Sequence, residues 1–277
     1  VTPKSHPHFS CGTSGWSYKD WVGPFYPPGT PASKFLEHYA TRFKAVEIDS
    51  TFYRIPSTKS VEAWNRATPE GFLFTPKMVR EVTHERFLED ADDIAARFLD
   101  ALAPIEAKLG SVILQFRYFK KAEGITLDAF LARLLPFLDA LPRGYRFSLE
   151  VRNKTFLRPP LLDALRERDV SLVLNDHPWM PKPSAWSRIP GVFTARHVLV
   201  RLLGDRYAIE DITKTWGKTV LDKGGVVRAW AQVIAQALDL GCDVTAFANN
   251  HFSGYGPDSA ELLFESVQEA SGTPWDP

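Results

Sequence analysis

The stretch Arg146-Phe147-Ser148-Leu149-Glu150-Val151-Arg152 reads as a short strand that turns charged at its C-terminal end. A strand alternates its side chains with a period of two. Glu150 and Arg152 therefore share one face, and Leu149 and Val151 share the other. Burying a charge without a partner costs several kcal/mol. Such a strand belongs where other elements bring complementary charges to the same end.

Working outward, seven further β-rich runs fit the same plan. They are predicted over Phe9–Ser14 and over residues 44–49, 72–77, 111–116, 170–175, 197–203 and 243–249. Longer stretches with helical periodicity fill most of the gaps: residues 31–42, 60–67, 84–103, 126–140, 159–168, 225–240 and 258–270. The stretch 126–140 spaces Leu127, Phe130, Leu131, Leu134, Leu135 and Leu138 for one buried stripe. Residues 177–196 hold Pro178, Pro181, Pro183, Pro190 and Gly191 and read as a long structured loop in place of a helix. Residues 211–225, with Lys214, Lys218 and Lys223, read as a mobile loop. Strand and helix in repeated alternation indicate parallel βα units. Eight of them predict a single-domain α/β chain, a TIM-like (β/α)8 barrel over residues 1–277 with its core at about 9–270 and an irregular crossing between strands six and seven. An open doubly wound sheet is the alternative. Its G-x-G-x-x-G fingerprint is missing, since Gly12-Thr13-Ser14-Gly15-Trp16 follows the first strand.

Composition narrows the function. The chain has 277 residues, 33 basic and 33 acidic side chains, and 44% hydrophobic residues. Zero net charge disfavours holding nucleic acid or an anionic membrane by bulk field, though not by a local basic pocket. No apolar run approaches the roughly 18 residues of a membrane helix. The opening VTPKSHPHFSCG lacks the basic start and apolar stretch of a secretory signal, so the expected compartment is the cytoplasm. Cys11 and Cys242 cannot build a disulfide framework and lack zinc-ligand spacing. Both are expected near the bottom of a closed barrel, as reduced thiols.

In a barrel the chemistry sits at the C-terminal ends of the strands. Those ends here carry Glu47 and Asp49, Lys77, Gln115, Glu150 and Arg152, Asp176, Arg201, and Asn249-Asn250. The loops beyond carry Trp16, Tyr18 and Tyr53, together with Trp21, Trp179 and Trp186. Aromatic platforms beside converging charges suit a planar ring or a sugar face. Interior ion pairs and aromatic plugging of the barrel mouth would give the same pattern without any ligand.

The segment Gly12-Thr13-Ser14-Gly15-Trp16-Ser17-Tyr18, with Trp21 and Phe25-Tyr26-Pro27, resembles the opening signature of the YecE-like family, a domain of unknown function numbered 72. Val46-Glu47-Ile48-Asp49-Ser50-Thr51-Phe52-Tyr53 resembles its second block, with Asp49 where Asn is more common. Phe72 to Lys77 with His84, Lys108-Leu109-Gly110 with Leu114-Gln115-Phe116, Glu150-Val151-Arg152, and Asn249-Asn250 with Gly254 resemble the later blocks, in order, across residues 11–260. The resemblance implies a TIM-like barrel and assigns no activity. At the level of fold only, it implies a likeness to endonuclease IV and to sugar-isomerase barrels. This chain departs from the pattern at Asn153-Lys154-Thr155-Phe156 and at Arg201-Leu202-Leu203-Gly204.

Three chemistries remain open. A metal-dependent phosphodiesterase would need His, Asp and Glu ligands, with Glu47, Asp49, Glu150, Asp176, His177 and His251 as candidates. Only two are His and none has local ligand spacing, so no metal or other cofactor is assigned. A metal-free acid/base site would use Glu47 and Glu150 with their pKa values split by burial, and Lys77 as a further catalytic candidate. Anion capture would use Lys77, Arg152 and Arg201, with Asp49, Gln115, Asp176, Asn249, Asn250, Trp16, Tyr18 and Tyr53 contacting the substrate. The combined expectation is a hydrolase or a lyase/isomerase acting on a small anionic ligand, a phosphorylated sugar or a nucleotide. The rival is a barrel that binds a ligand or nucleic acid and does no chemistry. Nucleic acid is the less favoured partner, no membrane is expected, and the oligomeric state is left open.

Overall fold

A computed structural model describes residues 6–272. Eight strands form the inner ring: β1 (Phe9–Ser14), β2 (Ala45–Ile48), β3 (Leu73–Pro76), β4 (Val112–Gln115), β5 (Phe147–Glu150), an interrupted β6 (Ser171–Leu172 and Leu174–Asn175), β7 (His197–Leu202) and β8 (Asp243–Ala248). Every strand pairing is parallel, and β1 pairs with both β2 and β8. The ring closes through two seams. At the first, β3 meets β4 through Gly110 N–H to Phe74 O (2.9 Å) and Met78 N–H to Ile113 O (2.9 Å). At the second, β6 changes neighbour within itself. Its first half pairs with β5 and its second half with β7, while Val173 N–H still donates to Leu149 O at 2.8 Å.

Among the described residues, ten α-helices surround or cap the ring. They are α1 (Phe35–Tyr39), α2 (Thr58–Arg66), α3 (Asp92–Leu102), α4 (Leu127–Ala140), α5 (Pro159–Arg166), α6 (Pro183–Trp186), α7 (Arg206–Ile212), α8 (Gly224–Asp239), α9 (Asn250–Ser253) and α10 (Gly256–Ser271). Ser57 and Thr126 start α2 and α4 by accepting the N–H of Ser60 and Ala129. That removes one unpaired donor from each first turn. Among the described residues no helix is long and apolar enough to cross a membrane.

The period-two reading of the strands carries through to packing. Val46, Ile48, Leu149 and Val151 face the large core between ring and helices. A separate apolar layer of Ala45, Ile113, Val173, Leu199 and Phe247, with Leu73 against it, fills the ring itself. Two residues further along the same strand faces stand Glu47, Gln115, Asn175, Arg201, Asn249 and Thr75. The polar strand ends therefore form a layer directly above an apolar plug.

Several expected elements differ. The helix expected over residues 84–103 is broken. A π-helical turn (Glu81–Glu85) comes first, and Phe87, Leu88 and Asp90 then take positive φ before α3 begins. Left-handed backbone cannot continue a right-handed helix, and the apolar periodicity runs straight across that break. The helix expected over residues 31–42 shrinks to a 3-10 turn (Ala32–Lys34) and α1. The expected long loop contains α6, with Trp186 fully buried and its indole N–H on Asn175 O at 3.2 Å. Residues 211–225 are tied down: Trp216 N–H donates to Asp20 at 2.9 Å and Val220 N–H to Ser253 O at 2.8 Å. Helix α7, just before them, was not expected. Cys11 and Cys242 are buried free thiols. Cys11 sits opposite Ala246 in mid-strand, higher in the ring than expected, and Cys242 precedes β8.

Candidate functional site

The polar layer is organised by Arg201. It is 1% exposed at the end of β7, level with Asn175 and Phe247. Its Nε and Nη2 donate to the two carboxylate oxygens of Glu47 at 2.7 and 2.6 Å. Its Nη1 donates to Glu150 across the ring. Arg152 closes on the other oxygen of Glu150 at 2.6 Å, and Lys77 lies 3.4 Å from Glu47 and pairs closely with Asp49. Three carboxylates and three cations from β2, β3, β5 and β7 thus form one chain of ion pairs. Forked guanidinium geometry suits this bridging role, which an ammonium could not fill.

Burial and pairing set the protonation of these groups. Burial raises Glu47 above its ordinary value, aided by Asp49 and opposed by Arg201 and Lys77. Burial also acts upward on Glu150, but Arg152 and Arg201 outweigh it and hold the carboxyl down at about 2. Asp49 behaves like Glu150: Lys77 and Arg201 overcome its burial and hold it at about 2. The two glutamates are therefore pushed apart, as a split carboxylate pair requires.

Above this layer opens a cavity of about 570 Å³. Asp49, Lys77, Gln115, Arg152, Arg201 and Asn249 line its floor and walls, and Tyr53 stands at its rim. Glu47 and Glu150 do not line it. Both are 0% exposed, beneath the cations they hold. Four other expected contacts are also absent from its wall, and each has a local reason. Trp16 packs edge-on against Trp64, with ring centroids 5.8 Å apart. Tyr18 packs at a tilt against Trp21 and donates its hydroxyl to Ser14 O at 2.7 Å. Asp176 is one residue past the inward-facing Asn175, so alternation turns it away; burial pushes its carboxyl up against the pull of Lys223 and Lys182. Asn250 is buried and accepts the N–H of Gly256 at 2.8 Å, which fixes the turn into α10.

The wall also contains residues that the strand ends do not point to. Arg117, Tyr118 and Lys120 follow β4, His177 and Trp179 follow β6, and Arg206 and Tyr207 open α7. The sequence signal for the first group is the run Phe116-Arg117-Tyr118-Phe119-Lys120-Lys121, which is basic and aromatic directly beyond a strand. Burial, then the charge of Arg152, lowers His177 to about 4. Its ring is therefore neutral near pH 7, and its Nδ1 accepts the N–H of Trp179 at 3.3 Å. Asn249 caps α9 by accepting the His251 N–H at 2.9 Å, and the His251 ring lies between Asn249 Oδ1 (2.7 Å) and Glu210 Oε1 (3.1 Å). Gly204, two residues past β7, has φ +68°, and a Cβ there would stand 2.3 Å from His251 O. Only glycine lets β7 and the loop of α9 approach this closely.

The wall is strongly one-signed. Lys77, Arg117, Lys120, Arg152, Arg201 and Arg206 face a single lining carboxylate, Asp49. Tyr53, Tyr118, Trp179 and Tyr207 are the exposed large aromatic side chains among the described residues, and all four line this cavity. Tyr118 and Trp179 meet with centroids 4.9 Å apart. Among the described residues, no group of three or more His, Cys, Asp or Glu is placed to hold a metal ion.

Known proteins share this architecture. The chain is 27% identical over 244 residues to the UPF0759 protein YecE of Escherichia coli K12, covering 81% of this chain and 80% of that protein. A crystal structure of a DUF72 family protein from Enterococcus faecalis V583 superposes with a TM-score of 0.64 at 20% identity, over 97% of each chain. One from Thermotoga maritima MSB8 gives 0.64 at 22% identity, over 94% of this chain and 99% of that one. These likenesses show a shared TIM-barrel-like fold. The family described as protein of unknown function DUF72 matches residues 10–277, and the chain belongs to that family.

Proposed function

We propose that the barrel mouth binds a small phosphorylated ligand carrying a planar ring, and performs metal-independent acid/base chemistry on it. One observation carries the reading: six cations and one carboxylate line the cavity of a chain whose total charge is zero. Phosphate oxygens are the natural counter-charge for Arg152, Lys77 and the rim cations Arg117 and Arg206. The ring of the ligand stacks on Trp179 and Tyr118.

The catalytic roles follow from what reaches the cavity. Glu47 and Glu150 are positioning residues, since each holds a cation in place from below. Arg201 joins them and is saturated by carboxylates. Proton transfer falls to the Lys77–Asp49 pair, and His177 lines the cavity as a neutral imidazole that offers hydrogen bonds to the ligand. Asp49, held at about 2, orients Lys77 through their ion pair.

The test is a thermal-shift screen of nucleoside phosphates and sugar phosphates, repeated with Arg152→Gln. Binding to the folded state raises the melting temperature by mass action. A stabilising phosphorylated ligand whose effect is lost in Arg152→Gln supports the reading. Turnover is followed by phosphate release and by solvent deuterium entering the ligand, with Lys77→Met and His177→Asn as controls. Stabilisation only by unphosphorylated sugars would sink the proposal.

A further inference from the structure

A second cleft of about 710 Å³ adjoins the mouth and shares Tyr118 and Lys120 with it. The segments after β4 and β5 build its walls, which carry Lys120, Lys121, Lys154 and Arg158 and no carboxylate. Among the described residues none of these four side chains makes an ion pair within 4.0 Å. Glu123, just after Lys120 and Lys121 in sequence, is already held by Arg117 and by the Lys120 backbone N–H at 2.6 Å. Most cations of the mouth have a carboxylate partner at or beneath its wall, whereas the cations of this cleft have no close carboxylate partner among the described residues.

A single phosphorylated metabolite would fill the mouth and leave the second cleft bare. The shared residues make the two clefts one track, and at their junction Tyr118 and Trp179 are 40% and 52% exposed. A line of unpaired cations beside outward-facing rings holds repeated phosphates and stacks successive bases. A duplex conceals its base faces and would leave those rings unused. We infer that the ligand is the end of a single-stranded nucleic acid. Its terminal nucleotide sits in the mouth, and the strand continues past Tyr118 along the second cleft. This inference rests on the phosphate-binding reading of the mouth.

Fluorescence anisotropy on the full chain tests it. The probes are a labelled thymidine mononucleotide, an oligothymidylate of about twelve nucleotides, the matching duplex, and inorganic polyphosphate as competitor. The expected result is an oligomer at least about tenfold tighter than the mononucleotide, with log K falling by about 0.7 per contacted phosphate for each unit of log salt. Lys154→Ser with Arg158→Ser, both at exposed positions, should lower that slope by about 1.4. Trp179→Ala should weaken the oligomer by about fivefold or more. If the mononucleotide does not bind at all, the reading of the mouth fails. If it binds and the longer strand gains nothing, the strand inference alone fails. Equal binding of duplex, or displacement by polyphosphate without any effect of Trp179→Ala, would also overturn it.

Discussion

Replacing Arg201 by Met is the sharpest test of the layered mouth. In the native protein Glu47, Asp49 and Glu150 balance Lys77, Arg152 and Arg201, with the two glutamates fully buried. Met keeps the apolar stem and removes the charge, leaving one buried carboxylate in excess. Breaking a buried pair from one side costs about 3–5 kcal/mol. Lys77 and Arg152 still partly neutralise the glutamates, so the lower end applies, about 3 kcal/mol. For a chain of this size that lowers Tm by about 6–12 °C. The sign with pH is fixed. Losing Arg201 shifts both folded glutamates upward, and Glu47, already raised, moves furthest above its unfolded value, so the penalty is greatest above that raised pKa and shrinks as pH falls through it. Urea melts at pH 7 and pH 5 should show a smaller gap between wild type and Arg201→Met at pH 5. The triple change Glu47→Leu, Glu150→Leu, Arg201→Met should regain most of the loss, since an apolar layer needs no counter-charge. A gap that does not change with pH, or a triple variant no better than the single one, would show that Arg201 does not hold the buried glutamates.

Other outcomes follow from the same geometry. His84 and His177 are lowered to about 4, mainly by burial; the unfolded chain then binds more protons between about 6.5 and 4, so stability falls across that window on acidification, and histidine ring NMR should find both neutral at pH 6. Gly204→Ala forces a Cβ to 2.3 Å from His251 O at φ +68°, and should cost at least about 1–3 kcal/mol in chemical melts while Gly144→Ala, in open space, costs less. Cys11 is buried with its thiol pushed up to about 12; a thiol reagent should label it only after denaturant is added, and labelling of the native protein would contradict the burial.

The inner ring was legible because period-two alternation and charge placement agree on the same residues. Leu149 and Val151 face the helices and Glu150 faces inward, as the spacing requires. The strand at Phe9–Ser14 has the expected bounds, and the others are shorter at their ends, where loop hydrogen bonds replace the ladder. The break near Phe87 and Leu88 was hidden, because a left-handed turn leaves the apolar spacing unchanged. Aromatic residues were ambiguous for a different reason. Trp16, Tyr18 and Trp21 are neighbours in one loop of the sequence, yet Trp21 is fully buried against Tyr26 and Tyr255. Tyr118 and Trp179, from loops after different strands, are the rings that meet over the cavity. Composition counts rings; only closure of the barrel says which of them share a rim.

The glutamates at the strand ends invite a catalytic reading, but burial assigns them another task. Placed one layer lower, Glu47 and Glu150 fix Lys77, Arg152 and Arg201 in position while the cations face the cavity. The apolar layer of Ala45, Ile113, Val173, Leu199 and Phe247 beneath them keeps water from entering from below, so the pairs sit where charges are weakly screened. Arg201 is therefore the keystone and not a ligand contact. The ligand's own charge meets the outer cations, whose partners Glu123 and Glu210 lie outside the cavity lining. An anion entering the mouth completes an alternation of negative, positive and negative layers that the folded chain has built up to its last step.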